Sequence, residues 1–222
     1  MKLINLALMV IVALSFLTSA YFYDSMPERI AVHWDAKGQV NGYMDKAYGM
    51  FFVPVISLII ILIFWAASKS KPVKENIKNF GNHYYGFSFV LFLFLYYVQV
   101  LTIIWNKGVK FSIIIALVPA LSFLLYFIGV LIQNTKRNLF VGIRTPWTLK
   151  SDKVWEKTHK KGAKLFKISA IVSLLGLFFR NYAVYIIIIP ILCFTIYLVL
   201  FSYLEYRKET KHNPKLRKEK KL

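Results

Sequence analysis

Six apolar runs decide what this chain can fold into. They extend over Leu3 to Tyr23, Gly49 to Ser68, Tyr84 to Trp105, Phe111 to Ile132, Leu165 to Phe179 and Tyr182 to Tyr203. A helix rises about 1.5 Å per residue, so roughly 20 apolar residues cross the ~30 Å hydrocarbon layer of a bilayer. Lipid offers no partner to backbone amides, so runs of this kind fold as helices. The fifth run falls below the ~17 residues needed, and it spans only if a helix entering from Ser151 lengthens it; a re-entrant segment is the alternative. Hydrophobic residues make up 58% of the chain, above the roughly 45–50% of a soluble domain. The chain therefore reads as an all-α, polytopic integral membrane protein of six transmembrane helices, placed in the cell membrane.

Charge supplies the orientation. A net charge of +19 would point a soluble chain toward nucleic acid, but here the basic residues flank apolar runs, where they set topology, and no direct nucleic-acid partner is expected. The tracts Asp24 to Tyr48, Asn106 to Lys110 and Arg180-Asn181 carry three, two and one Lys or Arg. On the other side, Lys69 to Asn82, Gln133 to Lys164 and Glu205 to Leu222 carry four, nine and eight. The positive-inside rule then places both termini in the cytoplasm. Thr18-Ser19-Ala20 resembles a signal-peptide cleavage site, yet the length of the first run and the interfacial Tyr21 and Tyr23 favour an uncleaved span. The organisation that follows is an N-terminal two-helix hairpin over 1–68 with an extracellular loop at 24–48, a four-helix region over 84–204 with a cytoplasmic loop at 133–164, and a basic disordered tail over 205–222. The second, fourth and sixth runs each contain one proline, Pro54, Pro119 and Pro190, which a threefold hairpin repeat and chance placement explain about equally well.

In the outer loop, Ile30, Val32 and Trp34 alternate before the turn signature Asp35-Ala36-Lys37-Gly38, so a short hairpin is expected with Gly38 and Gly42 supplying positive φ. His33 beside Asp35 is not a metal-ligand set, and a hydrogen-bonded structural histidine is the expectation. In the inner loop, Gly142 permits a bend, Pro146 forces Thr145 out of the α region, and Ser151 followed by Asp152 reads as a helix N-terminus. From Ser151 onward, Trp155, His159, Gly162 and Phe166 share one helix face and lysines occupy the rest. Arg144, Trp147 and Trp155 combine a donor fork with rigid apolar area, a pairing enriched at interfaces; Arg144 capping a helix end and Trp147 serving recognition is the preferred division of roles.

Other chemistry is sparse. The candidate acids and bases fall on opposite sides of the bilayer, and no same-side set resembles a nucleophile–base pair or metal site, so no enzyme activity and no cofactor are expected. Lys167 is the one ionisable group within a run, near its inner end, where it can snorkel. Gln99, Thr102 and Thr195 are expected to hydrogen-bond between helices. Cys193 reads as a small packing residue.

The inner stretch, Asn138…Gly142-Ile143-Arg144-Thr145-Pro146-Trp147-Thr148-Leu149…Ser151…Trp155…Thr158-His159…Gly162, resembles the SdpI family of membrane proteins. The outer loop, Pro27…His33-Trp34…Gly38…Gly42-Tyr43…Lys46, is similar to the small membrane domain of unknown function that commonly precedes it. Ala31 departs from that pattern, which often has a second proline there, and a less rigid hairpin is the expected cost. The resemblance implies immunity to, or sensing of, a membrane-active peptide toxin outside, with relay to a cytoplasmic transcriptional repressor. It marks His33, Trp34, Gly38, Gly42, Tyr43 and Lys46 outside, and Gly142, Arg144, Thr145, Pro146, Trp147, Trp155 and His159 inside, as binding residues. Export of a small amphiphile is the alternative function.

Overall fold

The computed structural model describes residues 2–69 and 71–212. Among the described residues, seven α-helices and one two-stranded sheet appear in chain order: α1 (Lys2–Phe22), β1 (Arg29–Trp34), β2 (Val40–Asp45), α2 (Lys46–Lys69), α3 (Lys71–Asn106), α4 (Ile113–Asn134), α5 (Pro146–Lys150), α6 (Asp152–Ser173) and α7 (Ala183–His212). Five of these are long and apolar enough to cross a membrane: Leu3–Ser25, Lys46–Ala66, Gly81–Asn106, Ile113–Asn134 and Arg180–Lys211. The fifth sequence run is not among them. It forms the apolar half of α6 and then tightens into a 3-10 turn, Leu174–Leu177. Lysines dominate the first half of α6, which is why the whole helix lacks the apolar character of a span.

The basic stretch after Lys69, read from sequence as a loop, is helical backbone from Lys71 into the third span. The tail expectation also needs correction, because α7 runs unbroken to His212. Glu205 bridges Lys157 (2.5 Å) and Lys208 (2.8 Å), and Ser151 Oγ donates to Glu209 Oε2 at 2.5 Å. These contacts hold the first turns of the supposed tail against α6. Residues 213–222 lie outside the described residues.

Helices α1, α2 and α3 form one group, with Leu8, Ile11, Val12 and Phe92 at its centre. Helices α4, α6 and α7 form a second around Val118, Leu125, Ala170, Ala183 and Ile187; α3 packs on α4 to join them. Gln99 crosses the first group: it accepts from Ser15 Oγ and donates to Ser15 O and Ser19 Oγ (both 2.8 Å), while Ser19 Oγ donates to Met50 O. This is the expected interhelical bonding. Thr102 and Thr195 differ, each donating to a carbonyl of its own helix, Val98 O and Ile191 O. Lys167 reaches Gln133 Oε1 at 2.6 Å, at the α4 terminus, as a snorkelling lysine should. Cys193 is exposed on α7, so it is not a packing residue within this chain.

The hairpin closes one end of the first group. Gly38 has φ +79°, and Asp35 Oδ1 accepts from Lys37 N and Gln39 N at 2.9 Å, which makes the turn. Gly42 is required for a different reason from the one expected. Its φ is not positive; a Cβ there would lie 2.7 Å from His33 Cβ across the bulged pair. Nor is the hairpin loose at Ala31. The Asn106 side chain accepts from Ala31 N (2.9 Å) and donates to Ala31 O (3.0 Å), imitating a third strand. A proline at this position could make only the second bond.

Candidate functional site

The loop between α4 and α6 is built around one histidine. Ser151 caps α6, accepting from Val154 N at 3.2 Å, and four residues into the helix Trp155 is 2% exposed. Its indole N–H donates to Thr135 O at 2.9 Å, and its ring stacks on His159 at 3.9 Å between centroids. His159 is equally buried. Its Nδ1 lies 2.8 Å from Trp155 O, and its Nε2 accepts the Ile143 backbone N–H at 2.9 Å. One nitrogen must donate and the other must accept, so the ring is the neutral Nδ1–H tautomer. A second proton would set N–H against N–H. Burial is the leading cause holding its pKa down, at about 4.

Such an approach of backbone to ring needs Gly142. Its φ is +126°, and a Cβ would collide with His159 Nε2 and reach Trp155 at 3.1 Å. Asn138 shapes the chain leading in: its Oδ1 accepts from Phe140 N (2.7 Å) and Val141 N (2.8 Å), and its Nδ2 donates to Val141 O. Past Gly142, Ile143 descends into the bundle. A Cβ on Gly162 would overlap Ile143 and lie 3.4 Å from both Ile132 and Leu198, so Gly162 provides the socket.

The loop then turns into α5. Thr145 is extended (φ −91°, ψ 160°) and forms a reciprocal capping box with Thr148, with Pro146 in the first turn. Thr145 Oγ1 also lies 3.0 Å from Ser202 Oγ, and Trp147 packs against Tyr203 at 5.1 Å, tying the loop to α7. Arg137 closes the other flank, donating to Asp152 Oδ1 and Leu149 O, both at 2.7 Å. Between the end of α4 and α6 an open cleft of about 710 Å³ remains, lined by Lys136, Arg137, Asp152, Trp155, Glu156, His159 and Lys160 among others.

The inner site residues therefore converge, but their roles divide. Gly142, Thr145, Trp155 and His159 hold the loop, and the burial of the last three leaves no surface for a partner on the loop's outer face. Arg144 is exposed and donates to Leu139 O at 2.5 Å; it fastens its own loop and, among the described residues, caps no neighbouring helix end. Pro146 is exposed and Trp147 half-buried. Sequence reasoning had no role for Ile143 or Arg137. It also missed the Thr145–Thr148 capping pair and the Asn138 turn, whose signals are local; the Ile143 socket has no local signal.

The outer residues are spread over the hairpin. His33 Nδ1 lies 2.5 Å from Asn41 Oδ1, the structural hydrogen bond expected of it. Trp34 meets Trp105 edge-on at 5.4 Å, with Lys110 Nζ 3.2 Å above the Trp105 ring. Lys46 lies 3.6 Å from Glu28 and 4.9 Å over the Tyr23 ring. Tyr43 is exposed, with Arg29 at 5.8 Å over its ring. Among the described residues no group of His, Cys, Asp or Glu is arranged to hold a metal ion.

Comparison with known proteins reproduces the two-part reading. Residues 134–203 match the model of the SdpI/YfhL protein family, and residues 10–58 match a domain of unknown function (DUF1648). The chain is 29% identical to the immunity protein SdpI of Bacillus subtilis (strain 168) over 205 residues, covering 92% of this chain and 96% of that protein. No solved structure matches it.

Proposed function

From the premise that this chain is a multi-pass membrane protein carrying the SdpI/YfhL family region behind a DUF1648 region, we propose that it protects the cell membrane holding it against a membrane-active peptide. The observation that carries this is full-length similarity to an immunity protein, together with a motif loop whose invested contacts, from Asn138 to His159, match the stretch that first suggested the family. In this reading both termini are cytoplasmic, α6 with its 3-10 extension makes the sixth crossing, and the hairpin faces the peptide outside. A relay to a cytoplasmic repressor would use the exposed part of the loop, Arg144 and the free edge of Trp147. No nucleophile, metal site or cofactor cradle enters the reading, and binding alone suffices for it.

The test is survival. A toxin-sensitive host expressing this chain is challenged with the membrane-active peptide secreted by a strain carrying a related immunity gene, and is expected to outgrow the empty-vector control. Equal killing of both strains, with the protein verified in the membrane, would refute the immunity reading. Adding a transcriptional reporter of a candidate repressor then tests the relay separately.

A further inference from the structure

The tip of the motif loop carries two large apolar side chains left exposed among the described residues: Leu139 is 65% exposed and Phe140 45%. Their display is fixed by the fold, because Asn138 bonds the backbone N–H groups of Phe140 and Val141, and Arg144 holds the Leu139 carbonyl. The depth of the tip is fixed as well. Ile143 meets the level of Leu198 on α7, Thr145 bonds Ser202, and Trp147 packs on Tyr203. Those α7 residues end the last apolar run, so the loop sits where hydrocarbon gives way to headgroups rather than out in the cytosol.

Charge at the tip has one sign. Lys136 and Arg144 form no ion pair among the described residues, and Arg144 spends one hydrogen bond on Leu139. Two carboxylates line the cleft with Lys136: Asp152 is already bonded by Arg137, and Glu156 forms no ion pair with Lys136 or Arg144 among the described residues. An apolar pair rimmed by unneutralised cations, placed at a bilayer boundary, matches the chemistry of an anionic lipid surface. We propose that Leu139 and Phe140 insert at the acyl boundary of the leaflet on the motif side, and that Lys136 and Arg144 bind the phosphate groups of anionic lipids there. The guanidinium fork suits a phosphate, and its bond to Leu139 couples headgroup binding to the apolar tip. The motif loop is thereby held by lipid as well as by α6 and α7. This depends only on the chain lying in a bilayer and not on the immunity reading.

The experiment uses the full chain with Cys193→Ser and Phe140→Cys, labelled with a small environment-sensitive fluorophore. It is reconstituted in nanodiscs of phosphatidylcholine alone or phosphatidylcholine with phosphatidylglycerol, some lipids brominated near the headgroup end of the acyl chain. Quenching by brominated lipid, stronger in the phosphatidylglycerol discs, is the expected result. Lys136→Gln and Arg144→Gln should each weaken the phosphatidylglycerol-dependent part about fivefold, the value of one basic residue at an anionic surface. Both substituted side chains are exposed; Lys136→Gln should leave the melting temperature in detergent unchanged, whereas Arg144→Gln also gives up the bond to Leu139 O, so a small drop is expected there, and a cooperative melt verifies that each variant folds. Equal quenching in the two disc types would overturn the headgroup assignment. A label open to aqueous iodide and untouched by lipid in either disc, or one shielded only when cytosolic protein is added, would overturn the insertion itself.

Discussion

Gly142→Ala isolates what holds the motif loop, and two other glycines allow its effect to be divided. At Gly142 the backbone has φ +126°, and a Cβ would strike His159 Nε2. Gly108 has φ +102° but nothing within 4 Å of a Cβ, and Gly86, inside α3, has neither a positive φ nor a neighbour. Gly86→Ala should be neutral or raise stability by about 0.5–1 kcal/mol through helix propensity. Gly108→Ala should cost the backbone strain alone, about 1–3 kcal/mol. Gly142→Ala pays that strain and must also push the imidazole aside, which leaves the Ile143 N–H without its acceptor, a further ~1–3 kcal/mol. The assay is thermal unfolding of the purified full chain, followed by tryptophan fluorescence, with limited proteolysis mapping cleavage within 136–144. Gly142→Ala is expected to melt lowest of the three and to be cut first in the loop. If it melts with Gly108→Ala and resists cleavage, the argument that the glycine exists to admit His159 is wrong.

Because the His159 pKa is lowered to about 4 from 6.5, the unfolded chain binds the extra proton between those values. The stability contributed by the neutral ring is complete above pH 6.5 and declines as pH falls, by about 2 kcal/mol at pH 5; a pH-dependent loss of the same size in His159→Gln would show that another group is responsible. Asn106→Leu removes both bonds to Ala31, with an expected cost of about 2 kcal/mol and faster proteolytic nicking at residues 35–39; unaltered nicking would mean that the amide clamp contributes nothing. For topology, a cysteine at Lys37 on intact cells should react with an impermeant thiol reagent while one at Lys153 stays protected, and the reverse pattern would invert the orientation proposed above.

Much of the fold was legible because a bilayer limits the choices: apolar length is a property of composition, and five of the six runs are found in helices long and apolar enough to cross. The inner turn was legible for local reasons too. Pro146 excludes Thr145 from the α region, and Ser151 is a good cap, whatever the rest of the chain does. What sequence could not reach were contacts between distant residues. Asn106 bonding Ala31 spans 75 positions, and nothing near either residue announces it. Gly42 misled because glycine suggests positive φ, whereas the bulge made space opposite His33 the deciding constraint. The fifth run was ambiguous in sequence for the physical reason the fold exhibits: a single helix, α6, serves both a lysine-rich solvated surface and an apolar core.

The same economy governs how the motif can act. Trp155 and His159 are among the residues the resemblance marks as binding, yet the fold encloses both and uses each ring atom capable of hydrogen bonding, Trp155 Nε1 for Thr135 and the two imidazole nitrogens for Trp155 and Ile143. Residues so committed cannot also meet a partner without dismantling the loop. What the loop leaves outside is Arg144, the edge of Trp147, and the Leu139–Phe140 tip, and the lipid contact proposed above would fall to these. These belong to one rigid unit, because Arg144 holds Leu139, Asn138 holds Phe140, and the capping box after Arg144 fixes Trp147 against Tyr203. The tip is connected through Gly142 and Ile143 to α6 and the socket at Gly162, and Trp147 is packed on α7. Helices α6 and α7 meet across the 3-10 turn at the opposite end of the bundle, where Gly176 packs against Ala183. The hairpin itself packs on α2 and α3, and α3 packs on α4, so a packed path from the hairpin to the motif loop runs through α3 and α4 before it meets α6.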